Sequence, residues 1–134
     1  MTRRLAAAAL VLLLPIGMAA CSSQSKADAC AEIEKARDAA LDEAQKGNID
    51  YTDEKALKDY FKKVTDVYKK SLKKVKNKKV KKAYKAVLDD LDKLIDLLNT
   101  DENASASPDY ESIQDSMDTH GEALNNLCGF TWDR

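Results

Sequence analysis

The chain has 134 residues and a formal net charge of -1, from 22 basic and 23 acidic side chains. Neither sign of charge dominates, and the length matches one ordinary domain. The sequence therefore argues against a second domain and against an array of repeats.

The first twenty residues have the composition of an export signal. Arg3 and Arg4 give a positive start, residues 5–16 are apolar, and residues 17–20 form a small-residue exit. Twelve apolar residues are too few to span a bilayer. We therefore predict that residues 1–20 are a signal peptide.

The residues that close this signal are Met18-Ala19-Ala20-Cys21. The segment resembles the signal of bacterial lipoprotein precursors, in which a Leu and two small residues precede a cysteine that receives diacylglycerol and becomes the mature N-terminus. Met18 stands where that pattern has Leu. The resemblance, which covers only residues 1–21, implies a lipid anchor on Cys21 at the extracytoplasmic side of the cell membrane. Ordinary signal-peptidase cleavage after Ala19, which would give a secreted protein, is the alternative.

Three cysteines are an odd count, which in an exported protein usually leaves one thiol unpaired. If Cys21 carries a lipid, two cysteines remain and can pair with each other. Because the space outside the cytoplasm is oxidising, we predict a disulfide between Cys30 and Cys128. Two unpaired thiols are the alternative.

Apolar residues recur at helical spacing in four runs of a domain at 26–134, which follows a short tether at 21–25. Ser25 is the predicted cap of the first run, which stops at Gly47. Its stripe comprises Cys30, Ile33, Ala36, Ala40, Leu41 and Ala44. Thr52 is the predicted cap of the second run. Its stripe comprises Leu57, Tyr60, Phe61, Val64, Val67, Tyr68, Leu72 and Val75.

The third run has the alternating four and three spacing of a coiled-coil seam. It comprises Val80, Tyr84, Val87, Leu91, Leu94 and Leu98. The fourth run begins with Ser107 as cap and Pro108 at the first helical position, and it stops at Gly129. Its stripe comprises Tyr110, Ile113, Met117, Leu124 and Leu127. The short polar residues at 99–107 predict a loop.

The junction between the second and third runs contains neither Gly nor Pro, so one helix from Thr52 to Leu98 is an alternative. Between Val75 and Val80, however, the stripe turns by about 140°, and a continuous rod would need partners on nearly opposite sides. We therefore predict a turn at residues 76–79 with Asn77 as cap. A domain-swapped dimer through a straightened junction is the alternative.

Four helices with short connections predict an all-α, antiparallel up-down-up-down four-helix bundle closed by one disulfide. The first helix then starts where the fourth ends, so Cys30 and Cys128 meet at one pole. Phe130 and Trp132 follow Cys128, and either both cover this pole or one of them stays exposed.

Charge is distributed unevenly along the bundle. Residues 69–82 hold nine lysines and no acid, whereas residues 96–111 hold five acids and no base. In the predicted topology the lysines share the pole of Cys30, and the tether reaches only about 14 Å. The predicted contact with an anionic surface comprises Lys69, Lys70, Lys73, Lys74, Lys76, Lys78, Lys79, Lys81 and Lys82.

These features predict a membrane-anchored, non-catalytic interaction or structural module of the bacterial envelope. Its lysines would face anionic lipid or an envelope polymer, and its protein partner is unidentified. A solvated helix surface is the alternative for the lysines. A small-ligand or ion-binding accessory lipoprotein, with a pocket beside the Ala-rich first helix, is the alternative function. Nucleic acid is a poor candidate, because export separates the lysines from it and no base-stacking aromatic pattern accompanies them.

The sequence contains no recognisable catalytic, metal or cofactor motif, so we predict neither an enzyme nor a bound cofactor. His120 is the single histidine and is expected to be a partly exposed structural residue. Two further groups are expected to be structural. A solvated acidic face comprises Asp89, Asp92 and Asp96. Three tyrosines of the core comprise Tyr60, Tyr68 and Tyr84.

Overall fold

The computed structural model describes residues 24–47 and 52–130. This part of the chain forms the predicted antiparallel bundle of α-helices. The helices are α1 (Lys26–Lys46), α2 (Glu54–Leu72), α3 (Lys78–Thr100) and α4 (Pro108–Cys128), with a 3-10 turn at Ala104–Ala106. The predicted signal peptide, Cys21 and Trp132 lie outside the described residues.

Side-chain caps fix most helix ends where the sequence predicts them. Ser25 Oγ accepts a hydrogen bond from the backbone N–H of Asp28 at 3.0 Å. Asn77 Oδ1 accepts hydrogen bonds from the backbone N–H groups of Lys79 and Val80, both at 3.2 Å. The fourth helix begins after Ser107 and ends at Gly129, whose φ of 72° is favourable only without a Cβ. These predicted boundaries are confirmed.

Three predicted boundaries are corrected. Helix α3 continues to Thr100, so the loop predicted at 99–107 begins at Asp101 and contains the 3-10 turn Ala104–Ala106. Asp53, not Thr52, caps α2, and its Oδ1 accepts from the N–H groups two and three residues later at 2.9 and 3.1 Å. A carboxylate also complements the positive end of the helix dipole, which a hydroxyl does not. The turn between α2 and α3 exists, but it occupies residues 73–77 rather than 76–79. The single long helix is therefore excluded.

The helices pack as a series in which α2 lies between α1 and α3, and α4 packs mainly on α3. Helices α1 and α4 meet over a shorter length. Their ends are joined by the predicted disulfide between Cys30 and Cys128, whose Cα atoms are 5.5 Å apart. Phe130 is buried at this pole and belongs to the main hydrophobic cluster.

The hydrophobic core is concentrated at the disulfide pole. Its buried members are Ala29, Cys30, Ile33, Val75, Val80, Tyr84, Leu88, Leu124 and Phe130. The Ala-rich face of α1 packs closely as predicted, since Ala36 and Ala40 are also buried. Leu41, however, is 53% exposed, so its place in the predicted stripe is wrong. Leu88, which the predicted seam of α3 lacks, joins Val80 and Tyr84 in the core, whereas the predicted Val87 is only partly buried.

The opposite half of the bundle, which we call the distal half, is packed more loosely. Among the described residues there, the large apolar side chains of all four helices stay partly or fully exposed. Those of α2, α3 and α4 are Leu57, Tyr60, Phe61, Leu91, Leu94, Ile95, Leu97, Leu98, Tyr110, Ile113 and Met117. Stability therefore resides mainly in the disulfide pole.

Candidate functional site at the lysine pole

The tether is hydrogen-bonded to the turn between α2 and α3. Gln24 Oε1 accepts from the backbone N–H of Lys76 at 2.6 Å and from that of Asn77 at 3.4 Å. In return, Asn77 Nδ2 donates to the backbone carbonyl of Gln24 at 3.2 Å. A residue three positions after Cys21 is therefore fixed against the lysine-rich turn.

All nine lysines of the predicted contact are exposed. Lys69 and Lys70 lie in the last turn of α2, and the others lie in the connecting turn or in the first turns of α3. Lys69 differs from the rest, because its Nζ lies 2.7 Å from Asp92 Oδ1. We refer to the set of nine as the lysine pole.

Backbone electrostatics add to the positive charge of the lysine pole. The first turn of α3 contains no acid, and Lys78 and Lys79 stand at the positive end of its dipole. A cation at that position costs about 0.3–1 kcal/mol. The nearby Glu32 is paired with Lys35 at 2.8 Å, and this hydrogen bond holds the pKa of Glu32 below its ordinary value. The pole therefore has the electrostatics of an anion-binding surface.

A second polar group, which the sequence did not predict, joins α3 to α4. Asp90 is fully buried, and its Oδ1 accepts from Lys93 Nζ at 2.9 Å. Its Oδ2 accepts from Ser116 Oγ at 2.9 Å and from His120 Nδ1 at 2.5 Å. Three donors from two helices thus surround one buried carboxylate.

This carboxylate is held in its ionised form. Burial is the largest influence on the pKa of Asp90 and raises it, but the hydrogen bonds from Lys93, His120 and Ser116 together outweigh burial. The pKa of Asp90 therefore lies below its ordinary value. Since an ionised carboxylate only accepts, His120 Nδ1 must carry a proton.

The same atoms do not form a nucleophilic triad. A triad serine bonds to the histidine nitrogen that faces away from the carboxylate. Here Ser116 Oγ donates to Asp90 itself and lies 3.4 Å from Nδ1, on the carboxylate side of the ring. Within the described ranges, Nε2 has no hydrogen-bond partner. The arrangement is that of a clamp between two helices.

The sequence contained a signal for this clamp. Val87, Asp90 and Leu94 follow the same three and four spacing as the apolar seam, which places Asp90 on the buried side of α3. The expectation that His120 is partly exposed is confirmed, since 40% of its side chain is accessible. Its partner was missed because an isolated Asp on a helix is usually solvated.

The other expected structural groups lie as follows. Asp89 pairs with Lys85 and Asp92 with Lys69 on the outer surface. No group of three potential metal ligands occurs in the part of the chain that the structure describes. The three tyrosines differ in depth. Tyr84 is buried and Tyr68 packs against the core, whereas Tyr60 stays partly exposed beside Phe61.

The ligand-binding alternative required a pocket beside α1. The two described grooves there, between α1 and α2, measure about 210 and 360 Å³. A larger groove of about 630 Å³ lies in the distal half, between α2 and α3. The larger groove therefore does not lie beside the Ala-rich α1.

Comparison with family models, with curated proteins and with solved structures finds no match for this chain. A functional conclusion must therefore come from the geometry of its own sites. Among the described helices, none combines the length and the apolar character that crossing a membrane requires.

Proposed function

We propose that this protein is a lipid-anchored module of the bacterial envelope. It stands on the extracytoplasmic face of the membrane with its lysine pole toward anionic lipid headgroups, and it acts through non-catalytic interactions. The lipid is carried by Cys21. The acyl chains supply hydrophobic anchorage, and the lysines supply electrostatic attraction.

The hydrogen bonds of Gln24 carry this proposal. Only three residues separate Cys21 from Lys76 through this contact, so the lipid and the lysine pole reach the same surface. A flexible tether would let the domain tumble, whereas a tether fixed to the turn directs one pole toward the membrane. The positive pole and the anchor then act together.

Exposure and charge give independent support. Each of the nine lysines is accessible to solvent, and each lysine close to an anionic bilayer contributes about 1 kcal/mol. A diacylglycerol supplies two acyl chains and holds the protein on the membrane, so the lysines act mainly on which pole faces the bilayer. The cost of placing Lys78 and Lys79 at the start of α3 is offset when an anionic surface lies opposite them.

The mature chain with Cys21→Ser carries no lipid, so its binding to vesicles measures the electrostatic contribution to membrane binding. We expect binding to vesicles that contain anionic lipid, no binding to neutral vesicles, and loss of binding at high salt. The triple variant Lys76→Glu, Lys78→Glu, Lys79→Glu should bind roughly 100-fold more weakly at low salt.

A matched triple variant in the first half of α2 controls for net charge: Lys55→Glu, Lys62→Glu and Lys63→Glu. It should retain most of the binding. Equal losses in the two triple variants would show that only total charge matters, and equal binding to neutral vesicles would remove the electrostatic contribution. Intact mass measurement of the native protein tests the anchor separately, because an unmodified Cys21 or another mature start overturns it.

A further inference from the structure

The distal half contains a groove between the first turns of α2 and the last turn of α3. Its volume is about 630 Å³, which lies within the range of binding sites. The apolar part of its lining comprises Leu57, Phe61, Leu98 and Ala104, and Asp101 and Glu102 lie among its polar residues. We call this the distal groove.

The distal groove continues into a second one along the same pair of helices. The second groove has a volume of about 420 Å³ and shares Lys58 and Asn99 with the first. Together they extend along α3 from Asp92 to Asp101, a distance of about 14 Å at the helical rise. A trough of this shape suits a helix laid between two helices better than a compact small molecule.

The end of the trough at Asp101 is electronegative. The last turn of α3 contains no basic residue, so the negative end of its dipole is not compensated there. Among the described residues, no backbone N–H of the following loop donates to the backbone carbonyls at 98–100. Glu102 is exposed beside them. Lys58, the cation in the lining, is already engaged in an interaction.

We propose that the distal groove receives an amphipathic helix of a partner protein, with its apolar face on the lining and its basic end against Asp101 and Glu102. This inference rests on the proposed function, because a membrane-facing lysine pole directs the distal groove outward. The 23 residues of α3 hold it roughly 30 Å from that pole. A second copy is not the occupant, because anchored copies stand parallel and their lysine poles face the membrane.

The test uses the Cys21→Ser mature chain and a short synthetic amphipathic helix of Leu and Lys. Binding is followed by amide chemical shifts, which report the site as well as the affinity. We expect shifts in the first turns of α2 and the last turn of α3. Ser105→Trp fills the groove at an exposed position, and Asp101→Asn with Glu102→Gln removes its charge. Each should weaken binding about tenfold or more.

The matched control is Asp109→Asn with Glu111→Gln, which removes the same charge at the same pole from residues outside the groove lining. It should leave binding nearly unchanged. Equal losses in both charge variants, equal binding of a Leu and Glu peptide, or shifts confined to the lysine pole would overturn the proposal. Self-association of the free chain that is abolished by Ser105→Trp would also overturn the proposal, because the occupant of the groove would then be a second copy. Vesicle binding is measured separately, so failure here leaves the lysine pole untouched.

Discussion

His120 Nδ1 lies 2.5 Å from the buried Oδ2 of Asp90 and connects α4 to the middle of α3. On one side of this contact lies the tightly packed disulfide pole, and on the other lies the loosely packed distal half. Since none of the large apolar side chains described in the distal half is buried, the polar contact contributes strongly to holding the distal part of α4 against α3.

Removing the charge of Asp90 should destabilise the bundle more than any surface acid does. Asp90→Asn leaves Lys93, His120 and Ser116 without their ionised acceptor, and we expect a loss of about 2–4 kcal/mol in unfolding free energy. Urea unfolding measures it. Asp89→Asn is the control, because this neighbour is exposed and pairs with the exposed Lys85; it should cost about 0.5 kcal/mol at most. Similar losses in both variants would contradict the role of the clamp.

The contribution of Asp90 should disappear in acid. Its pKa is lowered in the folded state, so the unfolded chain binds the proton more readily. The stability difference between the native chain and Asp90→Asn is therefore complete above about pH 5 and shrinks as pH falls below about 4, the ordinary pKa of Asp. The same comparison in a His120→Gln background isolates the carboxyl. A difference that grows as pH falls would contradict this account.

The disulfide should be the largest single stabilising link. Cys30 and Cys128 are 98 positions apart, and on the chain-entropy model closing such a loop contributes about 4–5 kcal/mol. We expect the double variant Cys30→Ala, Cys128→Ala to lose much of this amount in urea unfolding. A reductant should destabilise the native chain and leave the double variant unchanged. No effect of reductant on the native chain would show that the thiols are unpaired in solution.

Gln24→Ala should loosen the turn without unfolding the domain. The N–H groups of Lys76 and Asn77 lose their acceptor, and their amide exchange should accelerate about fivefold, as expected for one hydrogen bond worth about 1 kcal/mol. Gln45→Ala, at an exposed position on α1, is the control and should leave these amides unchanged. Unchanged exchange in Gln24→Ala would show that the tether does not bind the turn.

The sequence predicted most of the fold because the relevant signals are local. Ser25, Asn77, Ser107 and Gly129 satisfy or end the backbone hydrogen bonds of their own helix, so their roles are visible in short segments. The up-down-up-down topology that follows from four such helices also placed Cys30 and Cys128 at the same pole. The error at Thr52 has the same origin, since two adjacent capping residues differ little in local preference.

The sites were less visible, because they depend on which faces meet. Spacing puts Asp90 on the seam, but only the packing of α4 supplies Ser116 and His120 and makes the burial of a charge tolerable. The contact of Gln24 with Lys76 joins residues 52 positions apart, and no periodicity encodes it. The unequal burial of the two halves likewise follows from how closely the helices approach.

The amino-acid sequence by itself determined the four helices, most of their ends, the existence of a turn between α2 and α3 and the pairing of Cys30 with Cys128, since each follows from neighbouring residues or from topology. Only the tertiary structure decided that the core lies at one pole, that Asp90 is buried and that the tether is bound to the lysine-rich turn. These features arise from side chains distant in sequence, whose contacts exist only after the helices pack.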